Sequence, residues 1–181
     1  MKVLPVDVTI SNWDATLEPQ PNNRQVVRLG MNLIDGLELD AGWRIEEARA
    51  VKTFDSVADL ARRAGLNRRA LNALSAADAL QSLAGNRREA AWVAAASMPD
   101  KDILRGAPIG EDKIVLPAPS AGESVIADYC STGLTLGPHP LTFLRERLKG
   151  ERFLTADELN AKGDGAIVRG CGIVTVRQQP R

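Results

Sequence analysis

Gly36 breaks the stretch from Arg28 to Ile45 into two apolar runs, Leu29-Gly-Met-Asn-Leu-Ile34 and Leu37-Glu-Leu-Asp-Ala-Gly-Trp-Arg-Ile45. The pattern predicts a short helix, a tight hairpin at Gly36 and a second helix opening near Asp40. A helix amino terminus beside a glycine turn points several unpaired backbone N–H groups at one spot, which suits a phosphate oxygen. The segment is therefore a helix-hairpin-helix candidate, with Gly36, Leu37, Leu39 and Arg44 as its contact residues. Such a motif holds a nucleic-acid backbone without reading bases, since phosphate contacts carry no sequence information.

Downstream the period stays helical and is punctuated by caps. Ser56 ahead of Val57-Ala-Asp-Leu-Ala-Arg-Arg-Ala64, with Gly65 behind it, predicts a two-turn helix with an N-cap and a C′ glycine. Asn67 caps the next, which carries Ala70, Leu71 and Leu74 on one face. Ser75 is expected to open a third helix through Leu80, and Asn86 a fourth around Trp92. Helices this short are marginal alone in water, so they must pack into one bundle. The fold class is mostly α, a helix-hairpin-helix-type bundle of short helices. Before it, the alternation from Val3 to Ile10 predicts an edge strand, followed by Pro- and Asn-rich residues up to position 27.

With 44% hydrophobic and 25% charged residues in 181, the composition is that of a soluble globular protein. No apolar run approaches the roughly 20 residues that span a bilayer, and Pro5 and Asp7 interrupt any secretory apolar core. A cytoplasmic protein with no membrane partner is expected. The 23 basic and 23 acidic residues cancel, so no global field draws the chain to nucleic acid. Locally, arginines pair at Arg62-Arg63, Arg68-Arg69 and Arg87-Arg88. Either these are solvated helix faces or they line one edge with positive charge; in the second case Arg62, Arg63, Arg68 and Arg69 are the candidate backbone contacts.

Between Pro99 and Pro119 the chain turns Pro-, Gly- and charge-rich, which predicts a linker whose apolar dipeptide Ile103-Leu104 is a candidate partner contact. Beyond it, Ser120-Ala-Gly-Glu123 fits a capping box, Pro140 and Gly150 delimit a helix from Leu141 to Lys149, and Thr155-Ala-Asp-Glu158 opens another to Lys162. His139 is the single histidine, which leaves no His-based metal cluster or catalytic dyad. Cys130 and Cys171 belong to no Cys-x-x-Cys pair and read as ordinary thiols. Acidic pairs such as Glu46-Glu47 and Glu111-Asp112 sit in helical or linker contexts, with no Asp-x-Asp on a strand and no P-loop. No catalytic residue, metal or cofactor is assigned to this chain.

Four stretches carry a family likeness: Val3-Leu-Pro-Val-Asp-Val-Thr-Ile-Ser-Asn-Trp-Asp14, the hairpin run continued by Phe54-Asp-Ser-Val-Ala-Asp-Leu-Ala-Arg-Arg-Ala-Gly-Leu-Asn-Arg-Arg-Ala-Leu71, Asp128-Tyr-Cys-Ser-Thr-Gly-Leu-Thr-Leu-Gly-Pro-His-Pro140, and Gly172-Ile-Val-Thr-Val-Arg-Gln-Gln-Pro180. In their order the chain resembles the region after the catalytic core of bacterial C-family DNA polymerases, and more closely their error-prone, damage-inducible branch. The resemblance implies that the phosphoesterase-like domain and the palm, whose aspartates hold magnesium for nucleotidyl transfer, lie upstream of Met1. It also implies a carboxy-terminal fragment that is inactive by itself. Glu38 stands where the family more usually has the second glycine of the turn, and a carboxylate beside a phosphate is unfavourable. The β-branched run from Ala166 to Pro180 resembles the first strand of the family's OB-fold, here truncated. Such a strand is expected to pair with the Val3 to Ile10 strand, to pair with another copy, or to be disordered.

The expected division is a strand and helix-hairpin-helix bundle over 1–98, a linker over 99–119, a short helical region over 120–163 and the OB-fold start over 164–181. Two function classes stay open. In one, the chain is a non-catalytic part of an error-prone polymerase of translesion synthesis and contacts the duplex DNA backbone. In the other, it is a protein-interaction module that recruits accessory mutagenesis factors or the sliding-clamp complex.

Overall fold

The computed structural model describes residues 2–19, 25–96, 115–174 and 176–179. The chain divides into two compact units, Met1–Gly137 and Pro138–Arg181. The first opens with a three-stranded sheet of β1 (Val3–Leu4), β2 (Thr16–Pro19) and β3 (Gln25–Arg28) in the order β1-β3-β2. Strand β3 runs parallel to β1 and antiparallel to β2. The edge strand expected from Val3 to Ile10 is therefore only two residues long. The chain leaves it at Pro5, and Asp7 then ties a turn by accepting from the N–H and hydroxyl of Thr9 at 2.8 and 2.6 Å. Arg28, nearly buried, pairs with Glu18 across β2 and β3 at 2.8 Å and donates to the Pro5 carbonyl at 3.1 Å.

A 3-10 turn at Met31–Leu33 leads through the Gly36 turn into α1 (Leu39–Val51). Helices α2 (Val57–Arg63), α3 (Arg68–Ala76), α4 (Gln81–Ala84) and α5 (Arg87–Ala96) follow. The caps expected from the sequence form: Ser56 accepts from the Asp59 N–H and Asn67 from the Ala70 N–H. Asn86 accepts from the N–H groups of Arg88 and Glu89 at the start of α5. Ser75, in contrast, does not open a helix. It lies inside α3 with its hydroxyl donating back to the Asn72 carbonyl, and the next helix waits until Gln81. The core is a single cluster in which Met31, Ile45, Leu60, Leu71, Leu74 and Leu80 are fully buried, with Val6 and Val8 contributed from the amino-terminal segment. This is the mostly α, helix-hairpin-helix bundle that the sequence predicts.

Helix α6 (Ala121–Thr132) belongs to this first unit rather than to a separate region starting at 120. The reason is largely polar. Arg87 bonds Asp128 at 2.5 Å, Arg88 bonds Glu123 at 2.9 Å, and the Ser131 carbonyl accepts from the Asp35 N–H at 2.8 Å, while Val125 is buried. The capping box Ser120–Glu123 forms in full, and Gly133 closes the helix in the left-handed region.

The second unit carries a 3-10 turn at Pro140–Leu144, α7 (Arg145–Gly150), β4 (Phe153–Leu154), α8 (Ala156–Asn160) and β5 (Arg169–Gly170). His139 caps the first turn, its Nδ1 accepting from the Leu141 N–H at 3.2 Å, and Thr155 and Glu158 form the second capping box. Gly150 lies within α7 rather than past its end. The long terminal strand is not found among the described residues. Only Arg169–Gly170 pairs, in parallel with β4 rather than with the amino-terminal strand. Arg169 fixes that contact by stacking on Phe153, 4.4 Å from its centroid, and donating to the Glu151 carbonyl at 2.9 Å. Ile167, Ile173, Val174 and Val176 are exposed. None of the described residues of this unit is buried, so the β-branched side chains beyond β5 have little apolar surface on which to extend that two-stranded sheet.

Candidate nucleic-acid interface

The two glycine turns of the bundle have the same order of residues but opposite electrostatic surroundings. At the first, Gly36 takes φ +79°, Leu37 is buried at 8% exposure, and Glu38 occupies the N-cap of α1 in ordinary extended geometry, with no side-chain capping bond. Leu39 is the first residue of α1 and is exposed. The N–H groups of Leu39 and Asp40 have no acceptor among the described residues, as expected of a helix start. Yet the side chains around them are acidic: Asp35, Glu38 and Asp40 are all exposed, and none of their carboxylates is bonded among the described residues. An anion meeting those N–H groups would meet three negative charges with them.

The second turn is not apparent as a hairpin in the sequence. Helix α2 ends in Gly65, φ +57°, whose N–H bonds the Arg62 carbonyl while that of Leu66 bonds the Ala61 carbonyl. These bonds close the helix end around a left-handed residue and bury Leu66 at 2% exposure. Asn67 then caps α3, its side-chain oxygen 2.8 Å from the Ala70 nitrogen. The N–H groups of Arg68 and Arg69 have no acceptor among the described residues. Gly65-Leu66-Asn67 repeats the pattern of Gly36-Leu37-Glu38, which is the signal that could have found it.

The arginines sort themselves by partner. Arg68 and Arg69, in the first turn of α3, are exposed, and their side chains make no hydrogen bond or ion pair among the described residues. Arg62 makes an ion pair with Asp59 at 2.9 Å but remains 77% exposed, so the pair is weak and open to exchange. Arg44, which its sequence position assigns to the Gly36 turn, serves the other one: its Nε donates to the Ala64 carbonyl at 2.8 Å, next to Gly65. Arg63 is withdrawn from the surface. Its guanidinium donates to the main-chain carbonyls of Ala48, Lys52 and Thr53, bonds Asp59 at 3.0 Å and stacks on Phe54. Arg87 and Arg88 are likewise committed to α6. Burial pushes the Asp59 carboxyl up, but hydrogen bonds from Arg63 and Arg62 hold it below its ordinary value, so it stays ionised beside them.

Most of the expected linker, with Ile103 and Leu104, lies outside the described residues. Among the described residues no group of three or more His, Cys, Asp or Glu side chains could hold a metal ion, and no helix is long and apolar enough to cross a membrane. Cys130 and Cys171 are free and exposed.

Residues 1–90 match the family model of the helix-hairpin-helix motif. The whole chain is 53% identical over 183 aligned positions to the error-prone DNA polymerase of Bordetella parapertussis. Similarity at 51% over 99% of the chain extends to the error-prone DNA polymerase of Ralstonia nicotianae, and at 48% to that of Dechloromonas aromatica. The chain belongs to the error-prone DNA polymerase family. It spans 17% of the length of these relatives. Within this error-prone polymerase segment the helix-hairpin-helix match covers both glycine turns, and the arginines gathered at the second turn fall inside it.

Proposed function

We propose that this segment is a non-catalytic, DNA-handling part of an error-prone polymerase, and that it holds duplex DNA by the backbone at the Gly65 turn. The observation that carries the reading is the convergence of Arg44, Arg62, Arg68 and Arg69 on a glycine turn whose following helix offers unbonded N–H groups. Helix N-termini and arginine side chains are the donors that phosphate contacts use, and they fix position without specifying sequence. The bond-making step, with its magnesium, belongs to the rest of the polymerase. The role of the whole protein is translesion synthesis in the cytoplasm, in the repair and replication of damaged DNA, with accessory translesion proteins as partners.

The test is anisotropy of labelled duplexes of unrelated sequence at about 50 mM salt, where backbone contacts are strong. Equal affinity for each duplex is expected, with an equal loss for all of them when Arg68 and Arg69 are changed to Glu. Undetectable binding, or a loss confined to one sequence, overturns the reading. A protein-docking role also has a specific observation in its favour, the outer face of α1, and it concerns different residues.

A further inference from the structure

Helix α1 directs Arg44 toward the Gly65 turn and Arg49 onto carbonyls of the amino-terminal segment, and turns apolar and acidic residues outward. Arg44 is bonded to the Ala64 carbonyl, and Arg49 donates to the carbonyls of Val8 and Ser11 and to Asn12. Leu39 and Trp43, one helical turn apart, are 40% and 52% exposed, and Val51 is 86% exposed. Asp40 and Glu47 are also exposed, and their side chains make no hydrogen bond or ion pair among the described residues. The opposite side of the helix is fully used: Ala41 and Ile45 are buried, and Gly42 lies so close to the Trp13 ring that a Cβ there would sit 2.3 Å from it. The outward indole is thus left over from a helix whose packing is complete without it.

We propose that this outer face docks a basic, amphipathic helical segment of a protein partner, whose apolar residues cover Leu39 and Trp43 and whose cations meet Asp40 and Glu47. Charge selects that occupant. Duplex DNA would bring phosphates against unpaired carboxylates, and a second copy in a two-fold pairing would set the same acidic face against itself. Exposed aromatic and aliphatic side chains at helical spacing are the anchors that helix-on-helix recognition uses, and a central tryptophan carries a large share of such binding. The proposal does not depend on the DNA-binding reading, because it uses none of the residues at the Gly65 turn.

The experiment titrates the full chain calorimetrically with a synthetic leucine–lysine amphipathic peptide and with its leucine–glutamate counterpart. The lysine peptide is expected to bind and the glutamate peptide not to. Trp43→Ala should cost about tenfold or more, and Asp40→Lys with Glu47→Lys should reverse the preference. Circular dichroism should show both variants folded, since all three positions are exposed, and duplex affinity of Trp43→Ala should be unchanged. Equal binding of both peptides, binding of neither, or indifference to Trp43→Ala overturns the proposal. So does a loss of duplex binding in Trp43→Ala, which would make the face a DNA contact. A concentration-dependent dimer in sedimentation that Trp43→Ala abolishes would make it a self-association face and overturns the proposal as well.

Discussion

The guanidinium of Arg63 lies over the ring of Phe54, 4.9 Å from its centroid. With its bonds to the carbonyls of Ala48, Lys52 and Thr53 and its ion pair to Asp59, it ties the end of α1 to α2. Hydrogen bonds to charged groups contribute about 1.5–3 kcal/mol net. Arg63→Ala is therefore expected to lower stability by about 2–3 kcal/mol in urea unfolding. In contrast, Arg68→Ala with Arg69→Ala should leave stability within about 0.5 kcal/mol of the parent, as for other surface positions. If the two variants lose stability equally, the division of the arginines into structural and free is wrong.

Gly65 at φ +57° needs the freedom that Glu38, at φ −83°, does not. Gly65→Ala should destabilise by about 1–2 kcal/mol, the cost of a left-handed residue with a Cβ. Glu38→Gly should change stability by less than about 0.5 kcal/mol, since glycine is also an acceptable N-cap. Thermal unfolding of the two variants side by side checks this.

Asp78 holds a left-handed backbone at φ 57°, and its Oδ1 is buried without a hydrogen bond among the described residues. It lines a cavity of about 120 Å³ together with Asp128. Burial pushes its carboxyl above the ordinary value of 3.8, Arg87 pulls it down and Asp128 pushes it up. Because the folded form prefers the protonated acid, any stability it contributes is present below about 3.8 and is lost as pH rises through the folded value. At neutral pH the ionised group is a cost. Asp78→Asn, which tolerates the same backbone, should stabilise the fold by about 1 kcal/mol at neutral pH and have less effect in acid, measured by urea unfolding at both.

Glu18 and Asp59 work in the opposite sense. The hydrogen bond from Arg28 lowers Glu18 below its ordinary 4.5; at Asp59 burial acts upward, but hydrogen bonds from Arg63 and Arg62 outweigh it and bring the carboxyl below 3.8. Each contributes stability that is fully present above those ordinary values and is lost as pH falls through the lower folded ones. Unfolding free energy should therefore decline below about pH 4, and the decline should be shallower in Glu18→Gln with Asp59→Asn, measured by urea titration through the acid range.

What is legible in the sequence is local. The caps at Ser56, Asn67, Ser120 and Thr155 and the breaks at Gly36 and Gly65 depend on residues within one or two turns, and all form. What is not legible is set by distant partners. Arg44 neighbours the first turn along the chain but bonds a carbonyl of the second, and nothing in Arg62-Arg63 says that one side chain faces solvent while the next is absorbed by three carbonyls. Strands of two to four residues carry too few alternations to read, which is why β2 and β3 escape a sequence reading. The β-branched terminal run pairs only at Arg169–Gly170 among the described residues: strand preference expresses side-chain packing, and Ile167, Ile173, Val174 and Val176 are exposed.

Arginines at the Gly65 turn that neutralise phosphates make duplex binding fall as salt rises. Each phosphate neutralised adds about 0.9 to the log–log slope, so changing Arg68 and Arg69 together to Ala should reduce the slope by about two while affinity falls for every duplex sequence alike. An unchanged slope in that variant would place the DNA contact away from the Gly65 turn.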